Sequence, residues 1–296
     1  MIRKGKRRDV QRYQCVACGA NFQNKRRKQK LLDKIQNEYI FSRQTAQDLG
    51  EKYHRSRKWV LQQLKEVNGD DSNIINISPR SIVVVADATF FSRTNGMLIF
   101  REPNLKRNLI WKEIHVETAG QYEQLKLELE SLGFDIKAVI LDGRPGIREV
   151  FSGKPTQMCQ FHQVAIIRRY LTSRPKLEAA QELMAIARQL TKSDEKCFSE
   201  LLIAWHNKWQ DFLKEKTINP FTGRWFYTHK RLRAAFRSLK NNFPYLFTYK
   251  KYPELNIPNT TNSLDGYIST LKNLLNVHRG QDRNSRNKII CQILKK

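Results

Sequence analysis

The 296-residue sequence is short of acids and long apolar runs, and its few cysteines are unevenly spaced. Asp and Glu number 28 against 54 Lys and Arg, a formal charge of +26 that lies far outside the range of an ordinary cytosolic enzyme and implies a polyanionic partner. No stretch approaches the ~18 uninterrupted apolar residues of a membrane span. The polar start Met1-Ile2-Arg3-Lys4 has no apolar signal core, so the expectation is a soluble, cytoplasmic, nucleoid-associated protein with no membrane partner. Five Cys, an odd number, argue against a disulfide framework and leave metal binding or plain burial as their uses. What is present is ample core material: 40% apolar and 10% aromatic residues exclude disorder of the whole chain and allow one to three domains.

The charge is unevenly placed. Residues 1–30 carry +10, 31–68 carry +2, 69–160 carry −1 and 161–296 carry +15. A neutral block between basic flanks suggests a site with its own acidic chemistry, held against nucleic acid by its neighbours.

Cys15-Val16-Ala17-Cys18 is a Cys-x-x-Cys knuckle, with Tyr13 before it and Gly19 and Phe22 after it, as in a zinc ribbon. Zinc needs four ligands. The next His and Cys are His54 and Cys159, so the pair reads either as half of a ribbon whose first half lies upstream of Met1 or as two unmetallated thiols in a basic arm. The run Lys25-Arg26-Arg27-Lys28 suits phosphate without reading sequence. Three helical stripes follow: Leu31 to Tyr39, Gln44 to Tyr53, and Ser56 to Val67. Ser42 and Ser56 are the expected caps of the second and third. The short link through His54 and Arg55 predicts a helix-turn-helix, with Arg55, Arg57 and Lys58 where a recognition helix meets the groove; a generic helical hairpin is the plainer reading. The polar stretch Asn68 to Asn73 predicts a linker.

Ser81 to Phe91 is a buried central strand by its β-branched run, yet it carries Asp87. Burying an unpaired carboxylate costs more than the ~2–7 kcal/mol of a neutral polar group, so Asp87 is expected to meet a metal or a cation. Strands at Met97 to Arg101 and Leu109 to Val116, a helix at Gln121 to Leu132 stopped by Gly133, and a strand Ile136 to Leu141 ending in Asp142-Gly143 follow. Three strands, a helix and a strand ending in Asp open a ribonuclease H-like fold. Its first and fourth strands set carboxylates side by side for two divalent ions, with hard oxygen ligands favouring magnesium or manganese. Alone, Asp142 reads as an Asp-Gly turn.

In the second half, apolar stripes at Leu177 to Leu190 and Phe198 to Phe212 read as core. From Thr228 to Lys240, Lys230, Arg233, Arg237 and Lys240 share one helical face, a basic rail for DNA backbone or a merely solvated face. Asn262 and Asp265 open a last helix beside the stripe Leu264, Ile268, Leu271 and Leu275, where capping alone would explain the acid.

From about Pro79 onward the chain resembles bacterial insertion-sequence transposases of the Mutator-like superfamily. The marks are Asp87 in its strand, Leu141-Asp142-Gly143-Arg144, Cys159-x-x-His162, Gly223-Arg224-Trp225-Phe226-Tyr227-Thr228-His229, and Asn259-Thr260-Thr261-Asn262-Ser263-Leu264-Asp265. The resemblance implies a DDE-type recombinase that cuts element ends by metal-assisted hydrolysis and joins the 3′-hydroxyls to target DNA, as a dimer or higher homo-oligomer. It implies Asp87, Asp142 and Asp265 as the triad holding two magnesium or manganese ions, and a place near that site for Cys159 and His162. It also implies an α/β catalytic domain at 81–172 with an all-α insertion at 173–252 and a catalytic helix and basic tail at 253–296. Ahead of these lie an arm at 1–28, a helix-turn-helix at 29–68 and a linker at 69–80. The family usually has Glu where Asp265 stands; the shorter arm keeps open a weakened or inactive remnant that only binds DNA. A nuclease acting on hybrid or branched substrates is a third reading.

Overall fold

The computed structural model describes residues 1–7, 10–23, 26–66, 77–278 and 280–296. The expected linker at 68–73 and Lys25 lie outside them. Two compact units emerge: Met1–Ser72 with Ser269–Lys296, and Asn73–Ile268.

In the first unit, β1 (Ile2–Arg7), β2 (Val10–Gln14) and β3 (Asn21–Gln23) form an antiparallel sheet in that order. Helices α1 (Arg26–Phe41), α2 (Ala46–Lys52) and α3 (Arg57–Glu66) follow, closing over Ile35, Tyr39, Ile40, Leu49 and Val60. The cap of α2 is Thr45, not Ser42: its hydroxyl accepts the Asp48 N–H at 3.2 Å, and the Asp48 carboxylate accepts the Thr45 N–H at 2.8 Å. That capping box outcompetes a lone serine three residues earlier. Ser56 does cap α3, accepting the Trp59 N–H at 3.1 Å. Gly50 makes the turn between α2 and α3 tight, since a Cβ there would sit 2.7 Å from the Arg55 carbonyl oxygen.

The second unit is built on a five-stranded mixed sheet. Strands β4 (Ser81–Ser92), β5 (Asn95–Glu102) and β6 (Arg107–Ile114) run antiparallel, α4 (Ala119–Ser131) crosses over, and β7 (Asp135–Leu141) returns parallel to β4. After α5 (Pro145–Val150), β8 (Thr156–Met158) adds a parallel edge, giving the order β6-β5-β4-β7-β8. With β4 central, Val83, Val84 and Val85 are buried on both sides, as their β-branched run requires. Tyr122, Leu125 and Leu129 of α4 pack on one face with Phe100, Ile136 and Phe151. The arrangement is consistent with the expected ribonuclease H-like core, first and fourth strands side by side.

Helices α6 (Gln160–Leu171), α7 (Glu178–Gln189) and α8 (Glu195–Lys214) come next. The segment expected to be all-helical then carries a two-stranded hairpin, β9 (Lys216–Ile218) with β10 (Trp225–Tyr227), before α9 (Lys230–Leu246) and the short α10 (Thr248–Lys251). Three-residue strands are too brief to show a period-2 pattern. Leu183, Phe198, Trp205, Leu239 and Phe247 form the core of these helices. Helix α11 (Asn262–Val277) begins in the second unit, and α12 (Arg283–Leu294), capped by Asp282, belongs to the first. Among the described residues no helix is long and apolar enough to cross a membrane.

Candidate functional site

Register brings the first two acids level. Strands β4 and β7 pair in parallel up to Val85 opposite Ile140, and two residues further each strand reaches its aspartate, Asp87 and Asp142, on one face. The chain leaves β7 through Gly143, whose φ of +100° suits glycine, and a Cβ there would lie 2.4 Å from Met158 Cε. So Asp142-Gly143 is more than a turn: the glycine lets the strand end against buried Met158. Asp142 Oδ1 accepts the Arg144 N–H at 3.2 Å, and Asp87 Oδ1 accepts the Ala88 N–H at 2.8 Å.

Burial and then the charge of Asp142, with a smaller contribution from Asp265, push the Asp87 carboxyl up to about 7; His162 and the Ala88 N–H oppose this. Three carboxylates therefore share one electrostatic neighbourhood, and the like charges make proton release from Asp87 costly.

The third acid arrives on α11 and is held by Thr261, a fully buried residue whose role no local spacing marks. The Thr261 hydroxyl donates to Asp265 Oδ2 at 2.7 Å and lies 3.4 Å from His162 Nδ1 and 3.3 Å from Cys159 Sγ, while the Thr261 N–H donates to the same sulfur at 3.3 Å. Cys159 is buried just before α6, and His162 lies on that helix's first turn. Burial would raise the Cys159 thiol, but hydrogen bonds from His162 and Thr261 outweigh it and lower it. The bond to Cys159 in turn lifts His162 to about 9, against its burial and with help from the charges of Cys159, Asp87 and Asp265. The spacing Cys159-x-x-His162 thus places a group that holds its proton within electrostatic reach of the acids, linked to Asp265 through the Thr261 hydroxyl.

Buried amides brace this neighbourhood. Arg148 donates to the Gly143 carbonyl and to Asn242 Oδ1, both at 2.6 Å, and Asn242 Nδ2 donates to Gln163 Oε1 at 2.7 Å. Gln160 bonds to Leu246 O at 2.9 Å and accepts from Asn259 Nδ2 at 3.0 Å, tying α6 to α9 and to the segment that enters α11. No spacing rule foretells such contacts, because their partners lie some 80 to 100 residues apart.

The donor set is right for a hard divalent cation, being three carboxylates whose mutual repulsion an ion would relieve. Among the described residues, however, no group of three or more His, Cys, Asp or Glu is gathered tightly enough to hold a metal ion. The same holds for zinc at Cys15 and Cys18. Cys15, between β2 and β3, is lowered by backbone N–H groups of Cys18 and Ala17, and Gly19 closes the turn at φ +69°. The knuckle has the right shape, but two thiols are half of a zinc shell.

The expected DNA contacts are not equivalent. Arg55, Arg57 and Lys58 are all exposed at the start of α3, with Arg55 5.2 Å from the Trp59 ring. On α9, Lys230, Arg237 and Lys240 are exposed, but Arg233 is turned inward. It donates to the Leu213 carbonyl at 2.6 Å and lies 3.6 Å over the Tyr227 ring. The rail keeps three exposed cations, and the fourth braces the fold.

No protein-family model matches the chain, and no curated protein matches it in sequence. Among solved structures it aligns with the Drosophila P element transposase strand transfer complex over 90% of this chain and 92% of that chain, at a TM-score of 0.41 and 10% identity. A score this low establishes no common fold.

Proposed function

We propose that the chain cuts and joins DNA as a DDE-type transposase, with Asp87, Asp142 and Asp265 holding two magnesium or manganese ions and double-stranded DNA, element ends and target, as substrate. One observation carries the reading: a level pair of aspartates on two parallel central strands, with Asp87 pushed up to about 7 by burial, then by the charge of Asp142 and least by that of Asp265. Asp87, Asp142 and Asp265 would hold such ions only once drawn closer together than they stand here, and the ions would then supply activation of an attacking oxygen and stabilisation of a leaving one. The chain's own residues do the rest. Strand register aligns Asp87 with Asp142, Thr261 orients Asp265, and His162 offsets the negative charge while the exposed cations of α3 and α9 hold phosphate. Joining two ends calls for at least two copies, and the resemblance to Mutator-like insertion-sequence transposases belongs to this reading.

A second reading, a DNA-binding remnant that no longer cuts, is favoured by the short arm of Asp265 and its hydrogen bond to Thr261. The test uses DNA carrying the chromosomal segments that flank the gene. Wild type is expected to nick it with magnesium, and Asp87→Ala and Asp142→Ala to bind it equally and leave it whole. Equal binding with no cutting by any of the three, in magnesium or manganese, leaves the remnant.

A further inference from the structure

The β9–β10 hairpin carries the motif Gly223 to His229, which the acid site does not use. Its base is fixed. Thr228 N–H donates to Glu215 O at 3.0 Å, His229 bonds Glu215 at 2.9 Å and stacks on Phe212 at 3.7 Å, and Arg233 clamps Tyr227 from α9. Its tip is fixed as well, by its own bonds: the Asn219 side-chain oxygen accepts the Phe221 and Thr222 N–H groups at 2.8 and 3.2 Å, and Gly223 N–H returns to Asn219 O at 2.9 Å.

On this rigid projection the large apolar side chains face solvent. Phe221 is 95% exposed, Ile218 68% and Trp225 56%. Trp225 pairs across the hairpin with Ile218, so the two share one face with Tyr227, whose ring meets Trp225 edge-on at 5.5 Å. Cations are interleaved with the rings: Lys216 lies 4.1 Å from Trp225 and Lys230 3.9 Å from Phe226, and Arg224 and Arg231 stand exposed beside them. The acids just before the hairpin in sequence are paired, Glu215 with His229 and Asp211 with Lys214. Aromatic faces exposed at high water contact and flanked by unopposed positive charge match one ligand chemistry, bases with their phosphates. An apolar protein partner would have no use for the cations.

We propose that this hairpin is a stacking wedge for nucleobases that have left the duplex, with Phe221 and Trp225 taking the bases and Lys216, Arg224 and Arg231 the adjoining phosphates. Intact duplex, whose bases are stacked on each other, gains only the phosphate contacts. The proposal rests on the DNA reading above but is separable from it by choice of DNA.

The experiment measures binding of the full chain, by fluorescence anisotropy, to one duplex with and without a three-nucleotide bulge, for wild type, Phe221→Ala, Trp225→Ala and the double variant. Wild type should prefer the bulged DNA, and each substitution should weaken that complex by roughly tenfold while changing intact-duplex affinity less than about twofold. Phe221 touches too little for its loss to unfold the chain, which makes it the cleaner probe. Equal weakening on both DNAs, or none on either, overturns the wedge. So does a fall in the oligomer mass of the DNA-free double variant, which would assign the patch to contact between copies. Failure of wild type to bind even the intact duplex overturns the DNA reading itself.

Discussion

The acid neighbourhood in mid-β4 and at the end of β7 and the basic surfaces on α3 and α9 are built in opposite ways. Asp87 and Asp142 are placed by buried backbone register, and Asp265 is held by a fully buried threonine, so their positions are fixed by structure that cannot slip without exposing a core. The cations stand mostly on exposed helical turns, where spacing sets the face but not the partner. Arg233 shows the consequence: its helical position predicts a free phosphate ligand, and a carbonyl and an aromatic ring claim it instead.

Substitutions at five positions sharpen this contrast. The largest effect is expected at Asp87. Its folded-state pKa of about 7 lies above the ordinary 3.8, so the folded chain holds this proton more tightly than the unfolded chain. Stability therefore falls as pH rises from about 4 to about 7. Without divalent ions, Asp87→Asn should be more stable than wild type at pH 8, by an upper bound of about 4 kcal/mol because the site is partly exposed, and nearly equal at pH 4. Chemical denaturation at the two pH values checks it; equal gains at both would mean that the cost of a charged Asp87, from burial and then from Asp142, is not the cause.

Next is Gly143→Ala. Its Cβ would collide with Met158 in a left-handed backbone, and a loss of about 1–3 kcal/mol is expected from overpacking, read as a lowered denaturation midpoint. An unchanged midpoint would show that the strand end is not held as described.

Thr261→Val keeps shape and removes the hydroxyl that joins Asp265 to Cys159 and His162. A fall in cleavage of ~100-fold is expected from misplaced geometry, with Thr261→Ser retaining most activity. If Ser fails as Val does, the methyl packing matters and the hydroxyl does not.

The smallest effects separate the basic face. Arg233→Ala should cost about 1 kcal/mol of stability through its lost hydrogen bond and ring contact. Arg237→Ala should leave stability alone and weaken DNA binding a few-fold, with a shallower salt dependence. The reverse pattern would restore the uniform rail.

Much of the second unit was legible in the sequence because its signals are local. The β-branched run of β4, the stripe of α4 and the apolar β7 ending in Asp142 identify themselves within a dozen residues each, and an acid inside a buried strand is a conflict that points to chemistry. What was not legible depends on long-range contact or on very short elements. Thr261 meets Cys159 from 102 residues away, Arg148 reaches Asn242 across 94, and β8, β9 and β10 have three residues each. Cys159 and Cys15 make the same point: one spacing rule marks both, and only the surroundings separate a buried sulfur accepting the Thr261 N–H from a knuckle with two of four zinc ligands.

The central claim is that Asp87, Asp142 and Asp265 act as one cation site, and binding of manganese to the full chain, counted by the loss of its free electron-paramagnetic signal, tests it most directly. The account predicts that wild type binds manganese and that Asp87→Asn, Asp142→Asn and Asp265→Asn each weaken it, with Asp265→Glu binding at least as well as wild type. Wild type that leaves manganese free, or manganese binding indifferent to all three substitutions, would contradict it.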